Sequence, residues 1–74
     1  MTEAKITDVR EIEKYINYIL ACNCGMIANE QHRDIIEQIV YPALEEAGCD
    51  MRLAPLALDD AIAKGEAMRL AQMP

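Results

Sequence analysis

The sequence predicts an all-α protein, a small three-helix bundle that associates with itself, and three observations carry that expectation. Apolar residues recur at three- and four-residue spacing in three segments, no run alternates with a period of two, and Gly25 and Gly48 fall where periodic segments end. The 74 residues suffice for a single helical domain, 1–74. A domain of this size buries only about 60% of its unfolded surface, so its core is thin. Phe and Trp are absent, which leaves Ile, Leu, Val, Met and Ala to build that core. At 53% hydrophobic and 27% charged residues, the composition is that of a folding chain rather than a disordered one.

Residues 1–7 read as a short polar lead. Asp8, followed three residues later by Glu11, resembles a capping box and places the start of the first helix there. Val9, Ile12, Ile16, Ile19 and Leu20 fall in one arc of that helix, with Arg10, Lys14, Asn17 and Tyr18 on the other side. Gly25 closes it, because glycine takes the left-handed conformation that ends helices at little cost.

Asn29 reads as the N-cap of the second helix, with Glu30 favourably placed against the helix dipole. Ile35, Ile36, Ile39, Val40, Ala43 and Ala47 form its expected packing face. Pro42 lacks an N–H and clashes with the carbonyl of Gln38, so a kink or break is expected there, and Gly48 ends the helix.

Pro55 opens the third helix, where its missing N–H costs nothing. Leu58, Ala61, Ile62, Gly65 and Met68 lie on one side and Leu56, Ala63, Ala67 and Leu70 on another. Gly65 costs about 1 kcal/mol relative to Ala in mid-helix, but small residues allow close backbone approach. A three-helix monomer cannot cover both faces. Leu56, Ala63, Ala67 and Leu70 are therefore expected to pair with a second copy, giving a homodimer.

Charge and residue inventory exclude several functions. A net charge of −6 repels phosphates and anionic membrane surfaces, which argues against direct nucleic-acid binding. The longest apolar run falls far short of the ~20 residues that span a bilayer. No leader-like segment stands at the start, and Cys22, Cys24 and Cys49 are odd in number; reduced thiols and a cytoplasmic location are the expectation. The chain contains no serine, and its only aliphatic hydroxyls, Thr2 and Thr7, lie at the start. A Cys/His pair drawn between Cys22 or Cys24 and His32 lacks an orienting carboxylate and an oxyanion hole.

Cys22, Cys24, His32 and Cys49 offer the donor types of a zinc site, but C-x-C does not form the usual C-x2-C knuckle, and a helix of roughly 25 Å separates His32 from Cys49. The cysteines read as small packing residues and His32 as a partly buried ring with one nitrogen hydrogen-bonded to the preceding loop. Glu45 with Glu46, and Asp59 with Asp60, diverge by about 100° on a helix and read as solvated charges. No catalytic residue, cofactor or metal is expected.

One surface stands out. Glu30, Asp34, Glu37, Tyr41 and Glu45 share a face of the second helix opposite its isoleucines, and few basic residues lie within four positions to neutralise it. Carboxylates around a tyrosine suit contact with a basic protein surface. The expectation is a non-enzymatic interaction module, of the kind that includes phage-encoded, anti-CRISPR-like inhibitors that block a host protein's nucleic-acid-binding surface. The alternative is an oligomeric helical protein that binds a small molecule or a metal.

Overall fold

The computed structural model describes residues 5–71. They form helix α1 (Val9–Cys24), a 3-10 turn (Glu30–His32) that leads into α2 (Arg33–Ala47), and α3 (Ala54–Ala71). No strand occurs among the described residues, and the chain is an all-α three-helix bundle. α1 is the central element, packed against both α2 and α3.

The start of α1 follows from Asp8, whose extended backbone aims its carboxylate at the Arg10 N–H, 2.9 Å away. That bond satisfies a donor with no partner inside the helix. Gly25 closes α1 in the left-handed region at φ 58°, and the N–H groups of Gly25 and Met26 both turn back to the Leu20 carbonyl. Gly48 closes α2 at φ 88°. Its N–H bonds the Glu45 carbonyl at 3.1 Å and that of Cys49 bonds the Leu44 carbonyl at 3.0 Å, which is the Schellman pattern with the two apolar residues Leu44 and Cys49 buried beside it.

Ile12, Ile16, Ile19 and Leu20 of α1 are buried as their spacing predicts, and Val9 is half-buried beside them. The packing face of α2 is rotated from the expected one. Ile36, Val40 and Leu44, four residues apart, are fully enclosed, whereas Ile35 is 52% exposed. Ile35 points about 100° from Ile36, away from the side on which Leu44 and Tyr41 are covered. Tyr41, placed opposite the core by the sequence, is accordingly half-buried and packs against it. α2 runs through Pro42 without a break.

α3 starts at Ala54, one residue before Pro55, which stands in the first turn where no intrahelical donor is needed. Its inner face is Ala54, Ala57, Leu58, Ala61, Ile62 and Gly65, while Met68, expected inside, is 50% exposed.

Two features hold the bundle in ways the helical pattern does not reveal. The lead into α1 is docked: Lys5 and Ile6 donate to the Gly48 carbonyl at 2.7 and 3.1 Å, Asp50 donates to the Ile6 carbonyl at 2.8 Å, and Ile6 and Cys49 form one isolated parallel bridge. At the other end the loop between α1 and the 3-10 turn lies directly on α3. A Cβ added at Gly65 would stand 2.1 Å from the Ala28 carbonyl oxygen, so glycine here makes room for another segment's backbone.

Candidate protein-interaction surface

The acidic face of α2 is built from its N-terminus. Asn29 Oδ1 accepts the His32 backbone N–H at 3.0 Å and lies 2.9 Å from His32 Nδ1, so the carboxamide oxygen fixes both the turn and the half-buried imidazole. Glu66 of α3 accepts the Glu30 N–H at 3.2 Å, which ties the same turn to α3. The helix thus begins in a fixed orientation, and the residues behind it inherit that orientation.

Asp34 and Glu45 are exposed on this face and Glu37 and Tyr41 are half-buried, whereas Glu30, expected on the same helix, is exposed on the 3-10 turn that precedes it. Arg33 lies among them and changes the expected charge distribution. Its guanidinium is 2.6 Å from Asp59 of α3, 3.3 Å from Glu37 and 3.7 Å from Glu30. Glu30 and Glu37 are therefore partly neutralised within the protein, whereas Asp34 and Glu45 have no ion-pair partner among the described residues. Spacings of three and four residues around Arg33 were a readable signal of the two helical pairs. The Asp59 contact was not, because it depends on how α3 crosses α2.

The hydrogen bond to Asp59 raises the Arg33 pKa above its ordinary value, so this cation persists throughout the accessible pH range. Burial, reinforced by the negative charge of Glu37, raises the Tyr41 phenol above the usual tyrosine value. The two shifts favour a neutral Tyr41 phenol and a charged Arg33 guanidinium.

An open concavity beside Tyr41 is lined by Asp34, Glu37, Gln38 and Pro42. Pro42 has no N–H to donate to the Gln38 carbonyl one turn before it. The concavity offers an aromatic wall and two carboxylates. These groups are complementary to a cationic side chain with several donors.

The second face of α3 is open to solvent: Leu56 and Leu70 are 55% and 64% exposed, and Ala63 and Ala67 are exposed between them. The thiols do not converge. Cys22 and Cys24 are exposed at the end of α1, while Cys49 is buried and its thiol pKa is raised by that burial. No group of three or more His, Cys, Asp or Glu side chains among the described residues is arranged to hold a metal ion. No described helix is long and apolar enough to cross a membrane.

One buried charge went unread in the sequence. Glu13 is only 7% exposed and receives two bonds from Lys64 Nζ, at 2.9 and 3.2 Å, which join α1 to α3. Glu13 lies three residues before Ile16 and seven before Leu20, at the edge of the apolar arc, and that placement was the available signal. In comparisons with known proteins, no family model, no curated protein and no solved structure matches the chain.

Proposed function

We propose that the chain is a non-enzymatic protein-interaction module whose α2 face binds a basic surface of another protein, in the manner of a small inhibitor that covers a nucleic-acid-binding site. The observation that carries the reading is the concavity beside Tyr41, where the Asp34 carboxylate has no ion-pair partner among the described residues and that of Glu37 has only Arg33. A partner arginine or lysine supplies those donors. The half-buried Tyr41 ring costs little entropy to order and serves as the anchor, and Asp34 and Glu45 provide the charge that steers association. The formal net charge of −6 extends that steering beyond the contact. In the same reading the protein works as a homodimer through α3, which presents the α2 face twice.

The test is affinity capture from the native host's lysate with the wild-type chain and with Asp34→Lys/Glu45→Lys. These two positions carry the reversal because neither belongs to the Arg33 network, so the fold is left intact. A basic protein captured in a salt-sensitive way by the wild type, and lost by the variant, supports the reading. Equal capture by both at low salt removes the α2 face as the binding surface.

A further inference from the structure

The exposed face of α3 is symmetric about Ala63. Leu56 lies seven residues before it and Leu70 seven residues after it. Seven residues are about 10.5 Å of rise and return to within about 20° of the same direction, so the two leucines flank Ala63 evenly on one line. Both side chains are more than half exposed in the folded chain.

We propose that this line docks on the same line of a second copy, the two α3 helices running antiparallel with the two-fold axis at Ala63. The inference rests on the reading of α3 as a self-association face and adds its geometry. In that arrangement Leu56 of each copy meets Leu70 of the other, twice, and the alanine side chain on the axis lets the backbones approach closely. A surface that complements itself in this way fits a second copy through an isologous contact.

Charge selects the direction. A parallel, in-register pairing sets Asp59 and Asp60 beside their own copies, which is repulsive. The antiparallel pairing brings Asp60 to within about 3 Å along the axis of Lys64 of the second copy, on the same side of the seam. Lys64 is available for this contact, because its side chain remains 67% exposed while bonded to Glu13. The opposite side of the seam brings Asp59 near Glu66 of the second copy, where the Arg33 guanidinium held by Asp59 offsets the like charge. Antiparallel helix dipoles add in the same sense.

Sedimentation equilibrium of the full chain at several hundred micromolar is the first measurement, and the expected species has twice the 8.3 kDa chain mass. A species of 8.3 kDa overturns the self-association reading itself, and the geometry with it. The second measurement separates the two. With Cys22 and Cys24 replaced by serine, the Leu56→Cys and Leu70→Cys chains are mixed and oxidised. The expected product is the mixed disulfide between the two variants. Disulfide homodimers of each variant instead, or no disulfide from a chain that sediments as a dimer, overturn the antiparallel geometry and leave self-association standing. Ala63→Glu places two carboxylates on the axis and should weaken the dimer about tenfold or more with unchanged helicity. An unaltered dimer constant puts the axis elsewhere.

Discussion

Replacing Gly65 by alanine should destabilise the protein, although helix propensity alone predicts the reverse. In the middle of an exposed helix the exchange gains about 1 kcal/mol. At Gly65 the new methyl would stand 2.1 Å from the Ala28 carbonyl oxygen and 2.9 Å from Ile27 Cγ2. Ordinary non-bonded contact begins near ~3.5 Å, so the loop must retreat by more than an ångström. Overpacking of this kind costs about 1–3 kcal/mol. The retreat also moves Ala28, which is 1% exposed, and Asn29, whose side chain caps the turn at His32; a cap is worth about 1 kcal/mol. Set against the propensity gain, the net loss is about 1–3 kcal/mol. In a domain of this size that lowers the melting midpoint by roughly 5–20 °C. Thermal and urea unfolding followed by far-UV circular dichroism measure it. Lys14→Ala and Lys14→Gly, at an exposed position in the middle of α1, are the controls and should differ by about 1 kcal/mol in favour of Ala. A Gly65→Ala midpoint equal to or above that of the wild type would show that the loop is not seated on α3, and the reasoning would fall.

Three further outcomes follow from the same geometry. Lys64→Met leaves the Glu13 carboxylate buried without its ammonium and should cost about 1–3 kcal/mol, more than the paired change Glu13→Leu/Lys64→Met; a double-mutant cycle with no coupling contradicts this. Tyr41 has a raised folded-state pKa, so its contribution to stability is complete below the unfolded value of about 10 and is lost as pH rises through the folded value. Tyr41→Phe should remove that part of the alkaline loss, and an alkaline stability profile identical to that of the wild type would exclude it. Cys22 and Cys24 should react with a thiol reagent in the folded protein and Cys49 only on unfolding, and EDTA should leave the melting curve unchanged. Helicity lost in chelator and restored by zinc would assign the thiols to a metal instead.

Local chemistry was enough to mark where α1 begins, where α1 and α2 end and where α3 begins, whereas Asn29, expected to cap α2, caps the 3-10 turn and α2 itself starts at Arg33. Asp8 caps α1, Gly25 and Gly48 take the left-handed conformation that closes α1 and α2, and Pro55 stands in the first turn of α3. Those features act over a few bonds and are written in adjacent residues. The buried line of α1 was legible because Arg10, Lys14 and Asn17 occupy the opposite side and leave only one apolar arc to face the core. The α2 acidic stripe was legible as a set of residues on one face, but not in its charge state.

Tertiary structure decided what depends on which segments meet. The packing arc of α2 is turned toward Leu44 and Tyr41 and away from Ile35, because three isoleucines and two alanines leave its centre ambiguous by about one residue step until neighbouring helices cover one side. Arg33 reaches Asp59, Glu13 reaches Lys64, and Gly65 receives the Ala28 carbonyl across separations of 26, 51 and 37 residues. No periodicity encodes such contacts. The sequence by itself determined three helices, most of their ends and an acidic face, through propensity and 3.6-residue spacing. Only the tertiary structure determined that Arg33 also reaches Asp59 and that Lys64 reaches Glu13, because ion pairing between helices is set by their crossing and not by their order in the chain.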